Sequence, residues 1–339
     1  MVKSLGVCSS FRAIQDRVRK IDSRVRVTDL ESLEAAIQQK RDWLTKQRAV
    51  VSEQVRKEAA DLMQESLRAS LAVQQDQPPR LEAAKAKAVV AAVQAADLRG
   101  RKARFPMKVI NFIRAFLRSR SGKRGVLLVE AETRSLERTA SKHREMALRL
   151  QADPVMEAER RLKGHADVIR DLEALSASPE ARGAAGELAV AAELRGLSND
   201  FWVFHDVRLR AETFLRFDGK PVQSAQVDHL VIGPTGVFLI ETKSWSRKSA
   251  SGGQYFDPYE QVGRAGLLCH CLLKDGGLPN RVRTVIVSHQ RIRGSRVQSY
   301  TEHMAPDRLA GYLRTRQAAL SPSEVERVAA FIKERFGAS

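Results

Sequence analysis

The chain has 339 residues, of which 43% are hydrophobic, so it is long enough for about two domains and too apolar to be wholly disordered. Its formal net charge of +18, from 58 Lys and Arg against 40 Asp and Glu, predicts a polyanionic partner, either nucleic acid or an anionic membrane surface. Three cysteines make no disulfide framework, no stretch has the apolarity of a membrane-spanning helix, and the N-terminus lacks a signal-peptide core, so we expect a cytoplasmic protein.

The two halves of the chain differ in composition. Most aromatic residues and glycines lie in the second half, and their scarcity in the first half indicates long helices there. Residues 176–183 are mostly small or polar and include a proline, as in a linker. We therefore predict a helical region over 1–175 and an α/β domain over 176–339, with its core at 181–290 and its final helices within 306–336.

A long helix with coiled-coil character is predicted over residues 31–73, which are rich in Glu, Gln, Lys, Arg, Ala and Leu. Apolar residues recur at a spacing of seven, at Ile37, Leu44 and Val51. Pro78 and Pro79 cannot continue a helix, so the helix is expected to end before them. A coiled coil of this kind would also be the route by which the chain forms a homo-oligomer.

Residues 99–124 contain ten Lys and Arg and no Asp or Glu, so more than half of the net charge lies in this one segment. Within it, residues 105–118 predict a basic amphipathic helix. The apolar arc of this helix contains Val109, Ile110, Phe112, Ile113, Phe116 and Leu117. Three interpretations stay open: the arc packs on neighbouring helices, it lies on an anionic membrane, or the basic arc contacts nucleic acid.

The second half alternates helix and strand patterns. Strands are predicted over 226–233 and 236–243, and the tight turn between them makes the pair an antiparallel hairpin. A helix precedes this pair, and a further helix and strand follow it, ending near residue 289. The order predicts an α/β fold with a mixed sheet flanked by helices.

Ionisable residues follow the apolar strands of this hairpin. The period of two places Glu241 and Lys243 on one face of their strand, and Asp228 on the adjoining strand can reach the same cleft. A buried carboxylate is costly unless it is paired or bound to a metal, so these residues form either a salt bridge across the hairpin or an oxygen site suited to Mg²⁺. His229 points to the other face and is expected to be a core residue.

Three motifs of the second half carry a resemblance: GAAGELAVAAEL, QVDHLVIGPTGVFLIETKSW and YEQVGRAGLLCHCLL. In this order they resemble the nuclease-related domain (NERD) family over about residues 181–290. That family is assigned to the PD-(D/E)xK restriction-endonuclease-like superfamily. The resemblance implies a restriction-endonuclease-like mixed sheet, preceded here by 180 residues without a counterpart in the family.

The resemblance also implies a role for each polar residue. Glu187 matches the first-helix glutamate, and Asp228 matches the metal-binding aspartate. Glu241 and Lys243 match the ExK pair, and Gln261 matches the glutamine of the following helix. The implied ligands of a Mg²⁺ or Mn²⁺ ion are Asp228, Glu241, the backbone carbonyl of Thr242 and Glu187.

The motifs and the charge together predict a Mg²⁺-dependent nuclease that hydrolyses phosphodiester bonds, with DNA as the expected partner. The metal would activate a water molecule, and Lys243 would orient that water or neutralise developing charge. Two alternatives stay open. One is a nucleic-acid-binding protein that does not cleave, and the other is a coiled-coil scaffold that docks on an anionic membrane through 105–118.

Overall fold

The computed structural model of the chain describes residues 2–101, 107–243, 257–288 and 300–336. Most of these residues are helical, and the strands form one mixed sheet with helices on both faces. The predicted α/β class, with a sheet flanked by helices and a long N-terminal helix, is confirmed. The chain divides into two compact units, Met1–Lys40 with Asp167–Ser339, and Arg41–Ala166.

The sheet has six strands among the described residues, and their spatial order follows the chain. They are β1 (Lys3–Leu5), β2 (Trp202–Phe217), β3 (Lys220–Gly233), β4 (Gly236–Thr242), β5 (Val282–Val287) and β6 (Thr301–Met304). β1 is parallel to β2, β3 is antiparallel to both β2 and β4, and β5 and β6 continue in parallel to β4. In the predicted hairpin, Gly233 pairs with Gly236, whose φ of 127° favours glycine.

Each face of the sheet carries its own apolar layer. The helices of the described residues are α1 (Ser9–Ile21), α2 (Leu30–Leu71), α3 (Gln77–Gly100), α4 (Met107–Ala152), α5 (Pro154–Ser176), α6 (Pro179–Leu194), α7 (Pro258–Asp275), α8 (Pro306–Thr315) and α9 (Pro322–Phe336). Leu230 and Leu239 pack with α7 and α9, whereas Val231 and Ile240 pack with α6 and α8. Successive side chains along a strand point into opposite apolar layers, and both layers are buried. β3 and β4 therefore have nearly continuous apolar sequences.

The first 40 residues belong to the unit that contains the sheet. β1 pairs with β2, with Leu5 opposite Phe204, and α1 packs on α6. The buried side chains of α1 are Phe11, Ile14 and Val18. The predicted division at residue 175 differs from this one, because a strand of three residues is too short to be recognised from its pattern.

The unit Arg41–Ala166 is made of helical segments. The helix predicted over 31–73 corresponds closely to α2, but the chain stays helical through Pro78 and Pro79. A π-helical turn at Ala72–Asp76 follows α2, and both prolines then lie in the first turn of α3. Proline removes a regular i→i−4 hydrogen bond from a helix, and the π-helical turn lies just before these two prolines.

α3 and α4 form a close antiparallel hairpin through small residues. A Cβ atom added to Gly122 would lie 2.9 Å from the Cα of Ala88 and 3.2 Å from the Cβ of Ala91. Ala95 on α3 and Ala115 on α4 are buried. The inner surface of the hairpin is therefore occupied by Ala and Gly, and large side chains are directed away from it.

The apolar arc of the basic amphipathic segment lies on the outside of this hairpin. Phe112 is 59% exposed and Leu117 is 57% exposed, while Asn111 and Ala115 face inward. The exposed apolar residues of the arc are Val109, Ile110, Phe112, Ile113, Phe116 and Leu117. Of the three interpretations, packing of this arc on neighbouring helices is not found among the described residues, which do not include residues 102–106. Across the described residues, no helix combines the length and apolarity that crossing a bilayer requires.

Candidate active site

Two carboxylates lie beside each other where β3 and β4 pair. His229 is opposite Ile240 in this antiparallel ladder, so the next pair of residues along the ladder is Asp228 and Glu241. Both carboxylates share the face of the sheet that packs on α7. The amide of Thr242 donates a hydrogen bond of 2.7 Å to Oδ2 of Asp228, which joins the two strands at this point.

Lys243 connects the strand pair to α7. Its Nζ donates to Oε1 of Glu241 at 2.5 Å and to Oε1 of Gln261 at 3.0 Å. Gln261 lies in the first turn of α7, whose N-cap Asp257 accepts a hydrogen bond from the amide of Tyr259. The structure thus brings the predicted ExK pair and the predicted glutamine into one hydrogen-bonded group.

Glu187 is held by the N-terminal segment of the chain. Its Oε1 accepts from the hydroxyl of Ser10 at 2.5 Å, and its Oε2 accepts from the amide of Ser10 at 3.2 Å. Ser10 lies in the first turn of α1, where free backbone N–H groups favour an anionic side chain. Sequence reasoning missed Ser10, because it had assigned the first 175 residues to a separate helical region.

The carboxyl groups of the site resist ionisation because they are buried close to one another. Burial, together with the charge of Asp228, raises the pKa of Glu187 to about 7 and that of Glu241 to about 8. Burial also raises the pKa of Asp228, although its bond from Thr242 opposes this rise. Glu187 acts on Glu241 through its charge, since its own hydrogen bonds go to Ser10.

This donor set fits a hard divalent cation. Carboxylate oxygens are the ligands that Mg²⁺ and Mn²⁺ prefer, and Asp228 and Glu241 supply them from adjacent strands. Among the described residues, Glu187 does not form a group of ligand atoms within 4.8 Å of one another with these two carboxylates. A bound divalent cation would favour the ionised carboxylates and offset their mutual repulsion. The raised pKa values agree with a site in which a cation would favour the ionised carboxylates.

The site residues lie, in the predicted order, within a segment of the chain that matches a protein-family model. Residues 182–289 match the model of the nuclease-related domain, NERD. The predicted family is confirmed over this segment, which extends from α6 through β5 and contains all six predicted site residues. Within it, residues 244–256 and 289 lie outside the described residues. No curated protein and no solved structure matches the chain.

The nuclease-related domain contains a further buried carboxylate that sequence reasoning missed. Asp206 lies in β2 with a φ of 55°, a rare conformation for a residue other than glycine. Its Oδ1 accepts from Nε2 of Gln226 at 2.6 Å, and its Oδ2 lies 3.9 Å from Nη1 of Arg12. Its charge contributes to the raised pKa of Asp228. Asp206 is therefore connected to the acidic site through its charge.

Proposed function

We propose that the nuclease-related domain is a metal-dependent nuclease that hydrolyses phosphodiester bonds, with DNA as its substrate. The observation that carries this proposal is the contact of Lys243 with Glu241 beside Asp228, within a segment that matches a nuclease-related family. This is the arrangement expected of a PD-(D/E)xK site. The net charge of +18 favours a polyanionic substrate.

Each residue of the site has a distinct part in this proposal. Asp228 and Glu241, with the backbone carbonyl of Thr242 and the carboxylate of Glu187, would hold a Mg²⁺ or Mn²⁺ ion. When bound, the ion supplies a more acidic water and neutralises charge on the phosphate. Lys243 orients the attacking water and stabilises negative charge as it develops.

Gln261 acts as a positioning residue in this proposal. Its Oε1 accepts from Nζ of Lys243, and α7 holds it in place through the N-terminal cap. Lys243 also donates to Glu241, so a cation bound by Glu241 would compete with this contact. Gln261 would then keep the ammonium group within the site.

The test is cleavage of linear, nicked and single-stranded DNA in the presence of Mg²⁺ or Mn²⁺. Lys243→Ala should lower the cleavage rate by about 10²-fold or more, the range for loss of a group that assists proton transfer or charge stabilisation. Lys220→Ala is the matched control, because Lys220 is an exposed lysine of the same unit that pairs with Glu260. Equal cleavage by the wild type and Lys243→Ala would refute the assignment.

The same experiment separates cleavage from binding alone. If the protein binds DNA without metal-dependent cleavage, the non-cleaving alternative is correct. The slope of log K against log salt concentration would then count the phosphate contacts.

A second function is favoured by the exposed apolar arc, and we propose that the end of the α3–α4 hairpin docks on an anionic membrane. Phe112 and Leu117 are more than half exposed, and a contiguous group of large exposed apolar residues marks an interaction surface. Residues 99–124 contain ten basic residues and no acidic ones, which complements anionic lipid headgroups. The guanidinium of Arg99 lies 5.8 Å from the ring centroid of Phe112, so basic and apolar groups adjoin.

The apolar character of this surface distinguishes a bilayer from the other partners. Phosphate contacts would satisfy its Arg and Lys residues but would leave its Ile, Leu and Val side chains in water. A second copy of the chain would cover the apolar residues, but it would bring two strongly basic segments together. A bilayer with anionic headgroups accommodates both the apolar residues and the charge.

Vesicle flotation tests this surface. Phe112→Glu should reduce binding to phosphatidylserine-containing vesicles at least tenfold, and neutral vesicles should bind poorly. Met156→Glu on α5 is the matched control, because Met156 is 64% exposed and lies outside the arc. Unchanged binding of Phe112→Glu would refute membrane docking. Loss of DNA binding or of a dimer in that variant would instead assign the arc to nucleic acid or to a second copy.

A further inference from the structure

A second group of ligand-type side chains lies on the opposite face of β3 from Asp228. Cys8 precedes α1, and His205 and His229 are directly opposite each other in β2 and β3. Each of the three offers a ligand atom, and these atoms lie within 4.8 Å of one another. All three side chains are buried, and His229 is fully buried.

The hydrogen bonds of this group leave one nitrogen unsatisfied. Nδ1 of His205 and Nδ1 of His229 are 2.7 Å apart, so one imidazole donates to the other. Nε2 of His205 is 3.0 Å from the hydroxyl oxygen of Ser4. Nε2 of His229 has no hydrogen-bond partner among the described residues. Buried polar atoms are normally paired, so a fully buried nitrogen without a partner requires an explanation.

We propose that Cys8, His205 and His229 bind a zinc ion at a second metal site, distinct from the acidic site. Thiolate and imidazole are the ligands that zinc prefers, whereas Mg²⁺ and Mn²⁺ prefer oxygen. Three protein ligands leave one position of a tetrahedral zinc ion for water or another small ligand. Zinc binding would displace the thiol proton of Cys8 to solvent and would take up nitrogen lone pairs of the two imidazoles.

The neutral imidazole of His205 is ready for metal ligation, whereas Cys8 must lose its thiol proton when the metal binds. Burial lowers the pKa of His205 to about 4, so its imidazole is neutral at physiological pH, as metal ligation requires. Burial raises the pKa of the Cys8 thiol to about 12, and the negative charges of Glu187 and Asp228 contribute. The same negative charges would favour a cation at this position.

The zinc site would connect the N-terminal segment to the sheet. Cys8 is two residues before Ser10, whose amide and hydroxyl hold Glu187. A zinc ion shared by Cys8 and the two strand histidines would fix the start of α1 relative to β2 and β3. The proposed site would therefore have a structural role, because an ion bound by Cys8 would help to position Ser10, which contacts Glu187.

Metal analysis of the full chain tests the proposal. The purified protein is supplied with zinc, dialysed against buffer with Mg²⁺ but no zinc, and analysed by mass spectrometry. We expect about one zinc ion per chain, and a loss of at least tenfold in zinc affinity for Cys8→Ser. Cys271→Ser is the matched control, because Cys271 is a partly buried thiol on α7 outside the group. Asp228→Asn should retain zinc, since the proposed site is separate from the acidic one.

A cobalt spectrum provides a second measurement on the folded wild-type protein. Co²⁺ in place of zinc should give a thiolate-to-cobalt absorption band, which Cys8→Ser lacks and Cys271→Ser retains. Absence of stoichiometric zinc in the wild type, or an unchanged cobalt band in Cys8→Ser, would overturn the proposal. These readouts do not depend on nuclease activity, so their failure is distinguishable from failure of the proposed function.

Discussion

Replacing Glu187 by glutamine should stabilise the metal-free protein at alkaline pH while it removes a residue of the proposed site. The carboxyl group has a pKa of about 7 in the folded protein against its ordinary value of 4.5. A carboxyl group whose pKa is raised by folding favours the folded state when it is protonated. This contribution is complete below pH 4.5 and is lost as the pH rises through 7.

The magnitude follows from the rise in pKa. Each pKa unit is worth about 1.4 kcal/mol, so ionised Glu187 costs the folded state about 3 kcal/mol at pH 8 and less than about 1 kcal/mol at pH 5. Glutamine has no ionisation and removes this cost. The amide fits Ser10 differently from the carboxylate, but that effect does not depend on pH. The stability gain of Glu187→Gln should therefore be about 2–3 kcal/mol larger at pH 8 than at pH 5.

Urea unfolding in the presence of a chelator measures this difference. A Trp43→Phe background removes the tryptophan of the other unit, and Trp202 then reports on the unit with the sheet. Glu334→Gln is the control, because Glu334 is an exposed carboxylate of the same unit, and its substitution should give the same small change at both pH values. Added Mg²⁺ should stabilise the wild type at pH 8 more than it stabilises Glu187→Gln.

Two results would contradict the reasoning. An equal stability change in Glu187→Gln at pH 5 and pH 8 would mean that Glu187 ionises normally in the folded protein. A larger gain at pH 5 than at pH 8 would mean that the folded protein favours the ionised form. Either result would remove the electrostatic argument that this carboxylate requires a cation.

Two further changes test the packing of the hairpin and the support of the site. Gly122→Val should lower the stability of the protein by about 1–3 kcal/mol in thermal unfolding, because its added Cβ lies 2.9 Å from the Cα of Ala88. Gly125→Ala adds a Cβ with no atom within 4 Å, so this control should raise stability by about 0.5–1 kcal/mol. A loss of stability similar to that of Gly122→Val would refute the packing argument. Ser10→Ala removes the shorter hydrogen bond to Glu187 and should raise the pKa of that carboxyl further. The pH–rate profile of Ser10→Ala for DNA cleavage should therefore move towards alkaline pH. An unchanged profile would mean that the hydrogen bond from Ser10 does not lower the pKa of Glu187.

The centre of the candidate site was predictable because its signals are local. The tight turn at Pro234-Thr235-Gly236 fixes the register of the hairpin, and the period of two then places Asp228 and Glu241 on one face. These relations extend over fewer than twenty residues of the chain. The roles implied for the residues by the family resemblance stay predictions.

The rest of the site was not predictable, since it depends on contacts between distant segments. Ser10 contacts Glu187 across 177 positions of the chain, and nothing in its immediate sequence indicates that partner. The positive φ of Asp206 depends on the pairing of β2 with β3 and has no composition signal. The period of residues 105–118 identified an apolar arc, but periodicity cannot show what covers it. The contact between α3 and α4 is made by the small residues around Gly122 and not by the apolar arc.

The pairing of β1 with β2 makes the unit that contains the sheet discontinuous in sequence. A fragment beginning at residue 176 would contain the whole family match but would lack β1 and α1. The hydrogen-bonding edge of β2 would then be open to pairing with other chains, which favours aggregation. During synthesis, almost 200 further residues follow β1 before its partner strand β2 is made. We therefore expect the sheet to form late, after the long helices between these two strands have formed.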